Sequence, residues 1–240
     1  MLFGEKSFKI RCMDYKRPLH ADILRVYSQD YPVLQAIVGP RQVGKTTLAK
    51  QFMADLDIPS VYASADAPIP PGPEWIETQW HLALRKAAET GKVLLVLDEV
   101  QKVRGWSETL KALWDNRASP GPGIKVLLLG SSSLLVQKGL TESLSGRFFL
   151  HYCPHWSFPE MKAAFGWDLD RWILMGGYPG SVPFAGNEEH WKAYITDSLI
   201  ETVLNKDSRP SAHPQPFKTL TRPGSTMARL PLNRFTMSSC

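Results

Sequence analysis

The 240-residue chain is 43% hydrophobic and 21% charged, enough to fill a globular core and inconsistent with wholesale disorder. No apolar run approaches the roughly 20 residues that cross a bilayer, and Cys12, Cys153 and Cys240 form no CxxC pair; the expectation is a cytoplasmic protein with no membrane partner, disulfide framework or zinc site. The net charge of +5 comes from residues 206–240, which carry six Lys/Arg against one acid, whereas the rest balances 22 basic against 22 acidic residues; such a segment predicts only nonspecific attraction to polyanions, DNA included.

In chain order, Leu19, Ile23, Leu24 and Tyr27 recur at helical spacing, and residues 33–38 read as a buried strand. A glycine-bearing loop leads into a helix over 46–54, and 60–64 is a second strand. Pro73 sits in the first turn of a helix running to about Thr90, with Ile76, Trp80, Ala83 and Ala87 on one face. Residues 93–97 are apolar throughout, as a strand covered on both sides should be, and 124–129 repeat the pattern with Lys125 as the one interruption. A helix near 107–116 separates these two strands.

Strands alternating with helices imply an α/β fold, a parallel sheet flanked by helices. Residues 148–152 read as its last strand, so a core over 1–152 is expected. Short helices at 157–165 and 168–174, a turn at 176–180 and a longer helix over 188–204 make a small helical appendage of 153–207. The segment 208–240 is rich in Pro, Ser and Thr and reads as a disordered basic tail. Of the eight tryptophans, Trp156, Trp167, Trp172 and Trp191 fall in the later half and are read as core or interface anchors rather than base-stacking platforms.

The strongest motif is Gly39-Pro40-Arg41-Gln42-Val43-Gly44-Lys45-Thr46, a complete GxxxxGK[ST] between an expected strand and an expected helix, followed by Thr47. A loop of this kind curls until successive N–H groups face phosphate oxygens, and the helix that starts there adds the positive end of its dipole. Lys45 can reach the outer phosphates and the Thr46 hydroxyl can ligate Mg²⁺. Arg41 and Gln42 either shape the phosphate pocket or are plain exposed loop residues. Asp98 and Glu99 close the strand 93–97, at the sheet edge where α/β folds bind ligands. Asp98 is the Walker B candidate for the metal shell, and Glu99 the candidate general base, against the alternative that they cap the next turn.

Gly130-Ser131-Ser132-Ser133 follows strand 124–129 and can place Ser131 or Ser132 against the γ-phosphate, unless it is a serine-rich turn. Arg147, in Ser143-Leu144-Ser145-Gly146-Arg147, can serve a neighbouring subunit's γ-phosphate across a homo-oligomer or form an ordinary surface ion pair. Neither NKxD nor DxxG of Ras-like GTPases occurs at the corresponding places, where the chain has Asn205-Lys206-Asp207-Ser208 and Asp98-Glu99-Val100-Gln101; adenine is therefore favoured over guanine.

Taken in order, the phosphate loop, Leu97-Asp98-Glu99-Val100-Gln101, Gly130-Ser131-Ser132-Ser133-Leu134-Leu135, Ser143-Leu144-Ser145-Gly146-Arg147 and Gly176-Gly177-Tyr178-Pro179 resemble the AAA+-like P-loop ATPases of bacteria and archaea that carry a further carboxyl-terminal domain of unknown function. The resemblance spans about residues 15–207. It implies an ATP-binding domain with a catalytic glutamate; together with Thr46 and Asp98 as metal candidates, the leading expectation is ATP and Mg²⁺ as cofactors and slow ATP hydrolysis. It also implies a strand inserted between the Walker A and Walker B strands, which would be 124–129, and an arginine-finger role for Arg147. Nucleotide-gated binding of an unidentified protein partner is the alternative activity. Because the composition changes abruptly after Asp207, a truncated or frameshifted product is also expected.

Overall fold

The computed structural model describes residues 15–29, 31–117, 123–131 and 143–200. The expectations placed on Ser132, Ser133, Glu142 and everything after residue 200, including the basic segment, fall outside these residues.

Five strands form one sheet: β1 (Leu34–Gly39), β2 (Ser60–Ser64), β3 (Lys92–Asp98), β4 (Gly123–Ser131) and β5 (Phe148–Tyr152). Their order is β2-β3-β4-β1-β5, and every pairing is parallel. β4 therefore lies between β1 and β3, as the resemblance implied. Helices α1 (Pro18–Ser28), α2 (Lys45–Asp55), α3 (Pro73–Thr90) and α4 (Trp106–Asp115) cover the sheet.

The period-two geometry of a strand explains why β3 and β4 are apolar without alternation. Leu95, Leu97 and Leu128 enter one core with Ile76 and Trp80 of α3 and Leu110 and Trp114 of α4. Leu94, Val96, Leu127 and Leu129 enter the opposite core with Ile23 of α1 and Leu48 and Phe52 of α2. All four residues expected on the inner face of α3 are buried.

Beyond the sheet come α5 (Phe158–Phe165), α6 (Leu169–Met175), a 3-10 turn at Pro179–Phe184 and α7 (Glu188–Ala193). Ser157 and Glu160 form a capping box at the start of α5, and the Asp168 side chain caps α6 by accepting from the Arg171 N–H. Trp156, Met161, Trp167, Met175 and Ala185 make a third core with Trp172 and Trp191 packed against it, so these four tryptophans are packing residues. Where a single helix is expected over 188–204, the described residues form α7 followed by a π-helical segment, Tyr194–Ile200. Among the described residues no helix is long and apolar enough to cross a membrane.

Candidate functional site

The carboxyl ends of β1, β3 and β4 bring the expected motifs together. Gly39 and Ser131 are register partners at the ends of β1 and β4, and Asp98 ends β3 opposite Ser64 of β2. Gly39 cannot carry a side chain: a Cβ there would lie 2.0 Å from the Cys153 carbonyl oxygen. Gly44 adopts φ +92°, the left-handed conformation that lets the loop turn into α2.

The loop bounds a cavity of about 360 Å³. Arg41, Gln42, Gly44, Lys45, Thr46 and Thr47 form one wall, Glu99 faces them, and Ser198 of the π-helical segment reaches the same space. Pro40 adjoins it, with its carbonyl accepting from the Lys45 ammonium at 2.6 Å; the Gly39 carbonyl accepts from the same group at 3.0 Å. Burial pushes the Lys45 pKa down, opposed by Glu99, Cys153 and Asp98. An ammonium held by two carbonyls and partly stripped of water is primed to exchange them for anionic oxygens.

Across the loop, the Thr46 hydroxyl donates to Asp98 Oδ2 at 2.8 Å. The Tyr62 hydroxyl, from β2, donates to the same oxygen at 2.8 Å. Asp98 is 4% exposed. Burial and the hydrogen bond to Asp98 both raise the Tyr62 pKa, so Tyr62 stays a neutral donor. No cluster of three or more His, Cys, Asp or Glu side chains suited to a metal occurs among the described residues. One hydroxyl and one carboxylate beside a phosphate loop nevertheless fit Mg²⁺, a hard ion that takes one or two protein oxygens and completes its shell from phosphates and water.

Glu99 adopts φ +54°, an uncommon conformation for a residue with a side chain, directly after β3. Its Oε2 accepts from Gln101 Nε2 at 2.6 Å, and the same amide nitrogen reaches Ser131 Oγ at 3.4 Å. Glu99, Gln101 and Ser131 thus form one chain of polar groups, with Glu99 at the cavity. Gln101 and Tyr62 were not singled out from sequence, since neither stands in a motif whose spacing announces a role.

Arg147 is elsewhere. Its carbonyl accepts from the Leu34 N–H at 2.8 Å, so it sits where β1 begins, whereas the phosphate loop lies where β1 ends. That separation is roughly 16 Å along the strand. Its guanidinium forms a two-pronged pair with Asp115 at 2.8 and 3.0 Å. Of the two expectations for Arg147, the ion pair is present in this chain, and contact with a phosphate could come only from another copy. Gln42, also left open, is exposed and accepts from the Tyr194 hydroxyl at 2.7 Å.

Residues 32–162, more than half of the chain, match the family described as the AAA domain, and the chain belongs to that family. Among solved structures it resembles the Walker-type ATPase PABY2304 of Pyrococcus abyssi, with TM-score 0.59 and 17% identity over 80% of this chain and 75% of that one. It also resembles ORC1 of Aeropyrum pernix, solved in complex with DNA, with TM-score 0.50 and 12% identity over 78% of this chain and 66% of that one. At these identities both likenesses show the P-loop NTPase fold. No curated protein matches the sequence. Family and fold together define an ATP-binding, AAA+-like protein.

Proposed function

We propose that the chain binds Mg·ATP in the loop-lined cavity and hydrolyses it slowly to ADP and phosphate. The observation that carries this reading is the meeting of the Thr46 hydroxyl with the Asp98 carboxylate at 2.8 Å, beside a buried lysine whose ammonium is held by loop carbonyls. Backbone amides of residues 39–47 and Lys45 take the phosphate oxygens, while Thr46 and Asp98 hold the metal. When bound, the metal neutralises charge that develops on the phosphates. Glu99 accepts a proton from the attacking water, and Ser131 donates to the γ-phosphate from the end of β4.

Slow turnover follows from the Glu99–Gln101 bond. The Glu99 Oε2 that already accepts from Gln101 at 2.6 Å is not free to take a proton from the water until that bond opens. Arg147 of another copy would add transition-state stabilisation in a homo-oligomer.

A second reading, a nucleotide-gated switch for a protein partner with little turnover, is favoured by the Tyr194–Gln42 bond, which ties the π-helical segment to the phosphate loop. Titration calorimetry with Mg·ATP and a phosphate-release assay test both. Lys45→Ala should lose binding, and Glu99→Gln should retain binding and lose turnover. Binding and ATP-dependent assembly without phosphate release would favour the switch. Absence of binding by the parent chain, or parental hydrolysis by both variants, would refute the assignment.

A further inference from the structure

The phosphate loop is held from behind as well as lined in front. Val43 is fully buried, and its carbonyl accepts from the Trp156 indole N–H at 3.0 Å and, more weakly, from Arg17 Nη1 at 3.4 Å. Trp156 is itself 3% exposed. The Arg17 guanidinium lies 5.3 Å from its ring centre, and the rings of Tyr15 and Phe165 lie 5.4 and 5.6 Å away. The Trp156 backbone is also fixed, donating to the Gly177 carbonyl at 3.0 Å and accepting from the Trp172 indole at 3.3 Å. Arg17 is locked in turn by Glu160, at 2.7 Å.

The consequence lies in peptide geometry. A trans peptide sends its carbonyl and the following N–H in opposite directions. Holding the Val43 carbonyl at the rear therefore turns the Gly44 N–H toward the front, where Gly44 lines the cavity. A buried carbonyl without this donor would be driven to find another partner, and rotation of the Val43–Gly44 peptide would bring an oxygen rather than an N–H toward a phosphate.

We infer that Trp156 is a positioning residue for the nucleotide site: its indole N–H, acting through the Val43 carbonyl, keeps the Gly44 amide aimed at a phosphate oxygen. The inference rests on the reading that this cavity takes nucleotide phosphates. It makes the third core, which begins with Trp156, part of the phosphate-binding machinery and not only a neighbouring layer of packing. Orienting the amide before binding also spares the nucleotide the cost of ordering it.

Trp156→Phe keeps a flat apolar ring and removes the N–H. Trp80→Phe is the control, because it trims a tryptophan as buried as Trp156 in the core on the other side of the sheet, away from the loop. Calorimetry with Mg·ADP should show Trp156→Phe binding weakened about tenfold, the effect of one misaligned charge-assisted hydrogen bond. Trp80→Phe should bind like the parent although its melting temperature falls comparably. Parental affinity in Trp156→Phe, or equal loss in both variants, would overturn the inference while leaving the nucleotide reading intact; a parent chain that fails to bind Mg·ADP would overturn both. Should Trp156→Phe not fold, the parent protein still decides the matter. The ¹⁵N-indole resonance assigned to Trp156 by its proximity to Val43 should move as Mg·ADP is added, and a stationary resonance would overturn the proposal.

Discussion

Glu160→Gln, an isosteric change, should be unusually damaging. The Glu160 carboxylate accepts from Arg17 Nε at 2.7 Å and Nη2 at 3.3 Å, and from the Ser157 N–H and hydroxyl at 2.8 Å each. The Arg17 and Glu160 side chains are only 5% and 10% exposed. Burial alone would raise the carboxyl pKa, but the bonds from Arg17 and Ser157 outweigh it and hold the pKa below the ordinary glutamate value. Removing one partner of a buried ion pair costs about 3–5 kcal/mol; glutamine keeps a carbonyl oxygen for one donor, so about 3 kcal/mol is expected. Urea unfolding at neutral pH measures it. Because the folded-state pKa is depressed, the parent's advantage is full above the unfolded-state pKa near 4.5 and is lost as pH falls through the lower folded value. The stability gap between parent and variant should therefore close in acid. A loss under about 1 kcal/mol, or a gap that does not change with pH, would refute the reasoning.

His151 is buried on β5, where its Nε2 lies 2.7 Å from Gln35 Oε1, and burial pushes its pKa down to about 4. The unfolded chain takes up a proton near pH 6.5 that the folded chain refuses, so acidification from 6.5 to 4 should remove up to about 3 kcal/mol of stability, a slope that His151→Asn should lack in unfolding curves. Tyr62→Phe deletes one of the two donors on Asp98 Oδ2 and should weaken the Mg²⁺ dependence of ATP binding about tenfold while metal-free nucleotide affinity is unchanged, as calorimetry with and without Mg²⁺ would show. Arg147→Ala breaks an exposed pair and should leave the melting temperature unaltered. If Arg147 serves a neighbouring copy, parental turnover per chain should rise with protein concentration and that of the variant should not. Tyr194→Phe removes the front tether on Gln42 and should leave Mg·ADP affinity near parental, while hydrogen exchange in Tyr194–Ile200 stops responding to nucleotide; a retained response would show that the tether carries no signal.

What could be foreseen from sequence divides along a physical line. The phosphate loop was legible because its glycine and lysine spacing is local and its constraint is local. Strands β3 and β4 were legible because two-sided burial erases the alternation of polar and apolar residues. The bonds from Trp156 to Val43 and from Arg17 to Glu160 span 113 and 143 residues, and nothing in either neighbourhood foretells the other. Gln101 was quoted as part of a motif, yet its reach to both Glu99 and Ser131 appears only when β3 and β4 lie side by side. Arg147 shows the converse: its place in the motif order was read, but the parallel pairing of β5 with β1 carries it to the far edge of the sheet.

The two contacts on consecutive loop residues differ in kind, and that difference bears on how nucleotide binding would be relayed. The Trp156 bond to Val43 is buried and backed by a packed aromatic core, so breaking it would leave the carbonyl, away from water, with only the long 3.4 Å contact from Arg17. The Tyr194 bond to Gln42 is exposed, and water can replace either partner at a net cost of about 1 kcal/mol. A triphosphate settling onto the loop can therefore displace the front contact and cannot readily displace the rear one. The rear contact then acts as the fixed reference that shapes the loop, and the front contact as the part free to move. Ser198, one helical turn beyond Tyr194, lines the same cavity, so a shift at the front would be passed directly to the π-helical segment. On the opposite wall, Glu99, the proposed base, is restrained by Gln101 rather than by the loop, which would separate its release from movement of the helical segment. Under the proposed reading, binding and turnover would then be controlled by different hydrogen bonds, and the chain would signal nucleotide occupancy without rapid hydrolysis.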